Sequence, residues 1–353
     1  MKYSILGNTT SKISRICLGT MTWGHQNTEL EAFEQMDFAL SKGVNFWDTA
    51  EMYPVPPNAN SYGKTEIIIG NWLASRKQRD EVFLATKISP ISWARNEKSP
   101  SINSENIKLA VNNSLKRLKT DYIDLFQLHW VTNRPNYHFA NWWGYEPPEN
   151  NKSKNQICEN IIEILNTCDG LIKEGKIKHI GLSNDSAWGI NQFCRLSEKF
   201  NLPRIVSVQN EYNLLRRRDE HDVMETCSLE GISYLSWSPL QMGVLSGKYL
   251  EGIPLKGTRF SKEWDPHGRY APRINPKVQL AVQHYLEIAK KFRLDLCQLS
   301  IAFTLRKKYM SSSIVGATSL EQLNNNINSI ELNLNKEILE QIELVRKEFP
   351  VPF

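Results

Sequence analysis

The stretch "DYIDLFQLHW", residues 121–130, decides how this chain folds. Residues 122–128 read as a largely apolar strand that ends on a polar residue, His129. Immediately before it, Ile107, Ala110, Val111, Ser114, Leu115 and Leu118 recur at the i, i+3, i+4 spacing of an amphipathic helix. A long polar and aromatic stretch follows, 131–156, and then a helix over 157–173 stopped by Gly175. The same strand-and-helix unit repeats in both directions. Strands are expected at 16–18, 44–47 and 82–86 upstream, and at 178–182, 205–208, 232–236 and 312–315 downstream. Between and after them fall helices at 29–41, 64–75, 186–200, 219–230, 277–293, 295–307 and 319–328. A last amphipathic helix carries Ile338, Ile342, Val345 and Phe349.

Strands that are apolar throughout and separated by helices point to a parallel sheet covered by those helices. Eight such units favour closure. The expected class is α/β, a (β/α)8 TIM barrel formed as one domain over 1–353 with additional C-terminal helices. Residues 2–6 and 11–16, around Gly7-Asn8, read as an N-terminal β-hairpin. An open dinucleotide-binding sheet would want a Gly-rich turn after an early strand, and no G-x-G-x-x-G occurs.

Composition excludes several classes. The chain has 353 residues, 41% hydrophobic and 23% charged, with net charge +5. The densest basic run, Arg216–Arg218, is followed at once by Asp219 and Glu220, which reads as a solvated loop rather than a nucleic-acid patch. No segment reaches the roughly 20 apolar residues of a membrane helix, and no signal peptide is evident. The six cysteines lie far apart, with no C-x-x-C pair and no metal-ligand spacing. They are expected to be reduced and mostly buried, in a cytoplasmic protein that holds no metal.

In a barrel of this kind the chemistry gathers where strands end. Here the strand ends carry Asp48, Lys87, His129, Asn184, Gln209 and Trp237, and Tyr53 overhangs the loop after Asp48. Taken singly, each has a bland reading. An Asp after a strand caps a turn, a loop tyrosine half-packs, a lysine reaches for solvent, and a histidine sits satisfied in the core. Jointly they make a proton-donating set. A phenol has a pKa near 10; a nearby ammonium favours phenolate, a carboxylate keeps that ammonium charged, and a histidine can hold a carbonyl oxygen. The set needs a nucleophile from elsewhere, and a cofactor-borne hydride fits.

The later strand ends offer a cradle for such a cofactor. Ser183, Asn184 and Gln209 could hydrogen-bond a nicotinamide carboxamide, and Trp237 offers a flat face for the ring. Residues 238–249, "SPLQMGVLSGKY", combine glycines with Lys248. "IVGATSLEQLNNN" enters a helix whose N-terminus suits a phosphate, although Ser319-x-x-Gln322 is also an ordinary capping box. Trp23, Trp93 and Trp130, with Tyr137, Phe139, Trp142, Trp143 and Tyr145 of the stretch after His129, could wall an apolar substrate pocket; for most of them simple packing is the better reading.

The motifs "LGTMTWG" (18–24), "NFWDTAEMYP" (45–54), "FLATK" (83–87), "DYIDLFQLHW", "IGLSN" (180–184), "VQNEYN" (208–213), "SWSPL" (236–240), "GVLSGKY" (243–249) and "IVGATSLEQLNNNI" (314–327) together resemble the aldo-keto reductase family across essentially the whole chain. "EMYPVPP" and the aromatic stretch after His129 resemble its bacterial Tas-protein branch. The resemblance implies NADPH-dependent reduction of a small-molecule carbonyl. It also implies a catalytic tetrad of Asp48, Tyr53, Lys87 and His129, with Tyr53 as general acid. Gly19, Thr20 and Met21 would line the nicotinamide site. Ser238, Leu240, Gly243, Lys248 and Arg259 would face the pyrophosphate. Gly316, Thr318, Gln322, Asn325 and Asn326 would hold the adenosine end. Some relatives grip a 2′-phosphate with basic residues in the last-strand loop; "GATSLEQ" has none, so the expectation of NADP(H) rests on Lys248 and Arg259. The alternative is an NADP(H)-binding regulatory subunit with little turnover, resembling the ion-channel β subunits that share this fold.

Overall fold

Short apolar strands flanked by helices build a closed barrel, and the ends of those strands carry the polar residues of its upper rim. The computed structural model describes residues 1–95, 101–135, 151–250, 256–265 and 271–352, without the side chains of 92, 93 and 271. Strands β3 (Ile16–Gly19), β4 (Phe46–Asp48), β5 (Phe83–Ile88), β6 (Ile123–Leu128), β7 (Ile177–Ser183), β8 (Ile205–Glu211), β9 (Ser233–Trp237) and β10 (Met310–Val315) pair in parallel in chain order. β10 returns to β3 and closes the cylinder. Strands β1 (Tyr3–Ile5) and β2 (Lys12–Ser14) form the expected antiparallel hairpin.

The surrounding helices are α1 (Glu29–Ser41), α2 (Lys64–Arg76), the single turn α3 (Ser92–Arg95), α4 (Ser104–Leu118), α5 (Lys154–Lys173), α6 (Ala187–Phe200), α7 (Asp222–Glu230), α8 (Pro276–Lys291), α9 (Leu296–Phe303), α10 (Leu320–Asn328) and α11 (Lys336–Glu348). Most of their starts are set by side-chain caps; α2 and α7 have none. Thr28 with Glu31 and Ser153 with Gln156 form full capping boxes at α1 and α5, and Asn275 caps α8 with Pro276 in the first turn.

Two apolar cores follow from this layering. One lies between helices and barrel wall and includes Trp47 and Trp72, whose rings meet edge to face at 4.8 Å. The other fills the barrel interior with Cys17, Phe46, Phe83, Ala85, Leu125, Leu235 and Ile314, floored by Leu6 and Ile13 from the hairpin. A barrel interior packed this way is a solid core, so reactants meet it only at the rim. Register then decides which residues face one another there. Gly19 pairs with Asp48, Lys87 with Gln127, Ser183 with Gln209, and Glu211 with Trp237.

Cys17, Cys168, Cys194 and Cys227 are buried, Cys158 and Cys297 are half-buried, and all six are unpaired thiols. No helix among the described residues is long and apolar enough to cross a membrane.

Candidate active site

Asp48 ends β4 inside the barrel mouth and is 2% exposed; Lys87, on the neighbouring β5, is wholly buried. Two ions taken out of water need complete satisfaction to persist. Here they have it. Lys87 Nζ donates to Asp48 Oδ2 at 2.5 Å and to the Thr49 carbonyl at 2.8 Å. Asp48 Oδ1 accepts from Gln127 Nε2 at 3.0 Å and from Gln209 Nε2 at 2.8 Å. Burial is the strongest influence on the lysine and acts to lower its pKa, but Asp48 and Tyr53 outweigh it and leave the ammonium's pKa raised. The site therefore contains a buried cation.

Tyr53 reaches over that cation, with Lys87 Nζ 5.2 Å from its ring centroid. The loop that carries it is tied down on both sides. The Tyr53 N–H donates to the Ala50 carbonyl at 3.0 Å, and the Val55 N–H to the Met21 carbonyl at 2.9 Å. The Tyr53–Pro54 and Val55–Pro56 peptide bonds are cis. The expectation that Lys87 lowers the phenol's pKa is corrected by burial. Desolvation raises it, Lys87 pulls down, Asp48 pushes up, and the net direction is upward. Tyr53 is a neutral phenol in this state.

His129 follows β6 and is 9% exposed. Its ring stands edge to face with Tyr53 at 5.9 Å and tilted against Trp130 at 4.9 Å. Burial, and secondarily the Lys87 charge, hold its pKa well below the ordinary histidine value, so the imidazole is neutral. One ring nitrogen, Nδ1, lies 2.8 Å from Ser89 Oγ.

The cradle residues join the same network. Asn184 adopts a left-handed backbone conformation at φ 54°. Its Nδ2 donates to the His129 carbonyl at 2.9 Å and to Ser183 Oγ at 3.0 Å, and its Oδ1 accepts from Trp237 Nε1 at 3.1 Å. Ser183 Oγ donates to the Gln209 carbonyl at 2.8 Å. Gln209 spends its amide N–H groups on Asp48 and Gln127, and no donor among the described residues meets its Oε1. Thr20 anchors the other side, with its N–H and Oγ1 both donating to the Asp48 carbonyl, at 3.2 and 2.9 Å.

Backbone strain concentrates at this rim. Among the described residues, eight non-glycine residues have positive φ. Lys77, Lys119, Asn201 and Arg293 lie at or just past helix C-termini, where a left-handed residue is the usual stop. The other four, Asn184, Ser238, Gln241 and Met242, all lie in the loops after β7 and β9. Left-handed residues outside caps cost about 1 kcal/mol or more each and cluster at functional sites. Gly243, at φ +91°, belongs to the same turn, and a Cβ there would sit 3.1 Å from Lys248 Nζ. Lys248 is exposed; desolvation and then the Arg259 charge lower its pKa. Arg259 also acts electrostatically on Tyr53. Two mutually repelling cations beside a glycine turn, a flat indole and amides with an open acceptor form a donor set that fits an amide-bearing ring joined to phosphates.

A family model described as the aldo/keto reductase family matches residues 15–347. This chain belongs to the aldo/keto reductase family. Among curated relatives, it is 37% identical to Protein tas of Escherichia coli, over all of this chain and 99% of that one. It is 32% identical to the uncharacterized oxidoreductase YrpG of Bacillus subtilis, over 100% and 97% of the two chains. It is 29% identical to a putative voltage-gated potassium channel subunit beta of Schizosaccharomyces pombe, over 99% and 94%.

Within this aldo/keto reductase, Asp48, Tyr53, Lys87, His129, Ser183, Asn184, Gln209 and Trp237 form one connected cluster. Gly19 and Gly316 are adjacent at the β3–β10 seam, where a Cβ on Gly316 would lie 3.7 Å from the Gly19 carbonyl. Ser238 Oγ accepts from the Met242 N–H at 3.1 Å, which shapes the turn containing Leu240. The adenosine-end residues have partners of their own. Gln322 Oε1 accepts from the Thr318 N–H and hydroxyl at 3.0 and 3.1 Å. Asn325 donates to Asp295 at 3.0 Å, and Asn326 to the Gly316 carbonyl at 3.4 Å.

The pocket wall needs correction. Trp23 is wholly buried, and its Nε1 donates to Gln35 at 3.1 Å, so it is core packing and presents no face to a substrate. Trp130 is half-buried beside His129. The side chain of Trp93, and Tyr137, Phe139, Trp142, Trp143 and Tyr145, lie outside the described residues. Two participants escaped the sequence reading. Gln127, two positions before His129, braces Asp48, and Ser89, two after Lys87, meets His129. A buried amide within the apolar run "IDLFQL" was the available signal for the first.

Proposed function

We propose that this protein is an NADP(H)-dependent oxidoreductase that reduces aldehyde or ketone carbonyls of small molecules to alcohols in the cytoplasm. The observation that carries the reading is a phenol over a buried Lys87–Asp48 ion pair, edge to face with the His129 ring. Bound reduced nicotinamide would supply the hydride to the carbonyl carbon. All other tasks fall to this chain. Tyr53 keeps its proton until negative charge builds on the carbonyl oxygen, then donates it. The Lys87 ammonium stabilises the phenolate left behind, and solvent returns the proton. Asp48, braced by Gln127 and Gln209, holds the ammonium in place. Such preorganised charge acts most strongly where water is excluded.

Asn184 and the open Oε1 of Gln209 would hold the carboxamide, Trp237 the ring face, and Lys248 with Arg259 the phosphates. The six unpaired thiols fit a reducing compartment. The name of the Schizosaccharomyces pombe relative, a putative channel subunit beta, raises the alternative of a regulatory subunit, but a complete proton-donor set favours catalysis.

Titration of the intrinsic fluorescence with NADPH and NADH, followed by cofactor oxidation with an aldehyde and ketone panel, tests the proposal. NADPH should quench at the lower concentration. Tyr53→Phe should keep that quenching and lose about 100-fold or more in kcat. Unchanged turnover in Tyr53→Phe sinks the mechanism, and tight NADPH binding with no oxidation across the panel selects the regulatory reading.

A further inference from the structure

Glu51 is wholly buried three residues past Asp48, and its carboxylate meets none of the side chains assigned a chemical step. Its contacts run toward His129. Oε1 accepts from the Ser89 N–H at 2.6 Å and pairs with Arg95, while Oε2 accepts from the Tyr62 hydroxyl at 2.5 Å. The Glu51 N–H donates to the Lys87 carbonyl at 3.2 Å. Glu51 thus binds together the loop of Tyr53, the end of β5 and the turn α3. What it fixes most directly is the backbone of Ser89, whose hydroxyl lies 2.8 Å from His129 Nδ1.

The direction of that hydrogen bond follows from counting donors. A serine hydroxyl has one proton to give and two lone pairs. Ser89 is wholly buried, and among the described residues its hydroxyl meets only His129 Nδ1. If Nδ1–H donated to Ser89, the hydroxyl proton would be left without an acceptor in a buried site, which is disfavoured. If Ser89 donates to Nδ1, both groups are satisfied. A neutral ring must then carry its proton on Nε2, the nitrogen that meets no described partner.

We infer that Ser89, held in place by Glu51, is a positioning residue that fixes His129 as the Nε2–H tautomer. The consequence is chemical. An Nε2–H can donate to a carbonyl oxygen and align it for Tyr53; a bare Nε2 lone pair would repel that oxygen. The second half of this inference rests on the carbonyl-reductase reading, but the tautomer itself does not.

The test uses the full chain labelled with 15N-histidine, read by long-range 1H–15N correlation at pH 7.5, with the His129 signals identified by their loss in His129→Gln. The wild type should show a protonated Nε2 and an acceptor-type Nδ1. Ser89→Ala should move these signals toward a mixture of tautomers, and Ser89→Thr should restore them. With a turned-over carbonyl, kcat of Ser89→Ala should fall on the order of 10-fold, as loss of a partner that orients a functional histidine does, while NADPH quenching is unchanged. A wild-type spectrum with the proton on Nδ1 overturns the inference without any variant, and so does a Ser89→Ala spectrum identical to wild type. If no carbonyl is turned over, the proposed function fails while the nitrogen signals still decide the tautomer.

Discussion

Tyr53 is harder to ionise here than in water, and that suits the proton-donor role proposed for it, in which the proton stays until an alkoxide is forming. In that proposal the neighbouring cation matters most at the same moment, because it would meet a phenolate only after transfer. His129 shows the same economy in a form that can be measured by pH. Its folded pKa lies well below 6.5 because burial and then Lys87 disfavour the charged ring. The unfolded chain therefore binds a proton that the folded chain refuses once pH falls below about 6.5. Stability contributed by this group is fully present above that pH and is lost as pH falls toward the folded pKa. Urea unfolding between pH 7.5 and 5 should show wild-type stability falling more steeply than that of His129→Gln, the difference approaching about 1.4 kcal/mol per pH unit. Parallel curves would contradict the neutral-histidine assignment. Lys87, Asp48 and His129 were legible at this scale, since polar residues at the ends of apolar strands stand out. The sign of Tyr53's shift was not, because it depends on how deeply the loop packs.

At the scale of elements, strands and most helices matched their sequence periods, and the differences have identifiable causes. The helix expected from 157 begins at Lys154, because Ser153 and Gln156 form a capping box inside a polar stretch that has no apolar rhythm. The helix expected over 219–230 is split into a 3-10 turn, Arg218–Glu220, and α7. Asp219 is held there by Asn210 at 2.7 Å and by Tyr234 at 3.0 Å, partners from β8 and β9 that local sequence does not reveal. The turn after β9 is the element on which cofactor binding depends most in this reading. Gly243→Ala would place a methyl 3.1 Å from Lys248 Nζ at φ +91°. It should weaken NADPH quenching several-fold and cost about 1 kcal/mol or more in stability. Gly257→Ala, also at positive φ (+73°) but with no atom of the described residues within 4 Å of its Cβ, is the control: it should show the backbone cost without the Lys248 clash. Equal loss of NADPH affinity in both variants would remove Gly243 from the cradle.

The whole molecule places its chemistry on a solid barrel. The hairpin residues Leu6 and Ile13 floor the interior core, at the end opposite the Asp48–Lys87 pair. Leu6→Ala should therefore destabilise the protein by about 2–5 kcal/mol in urea titration, with KM and kcat unchanged below the unfolding transition. A changed KM would mean that the floor and the rim are mechanically coupled. The sequence by itself determined the eight-unit alternation, the hairpin, and the polar residues that terminate the strands, because hydrophobic period and strand-end chemistry are local properties. Tertiary structure alone decided that Trp23 belongs to the core, that Gln127 and Gln209 share Asp48, and that Ser89 and Glu51 stand behind His129. Those pairings join residues between 38 and 161 positions apart, and only closure of the barrel brings them into contact. Burial by the closed fold then set the protonation of Tyr53 and His129, which no local pattern encodes.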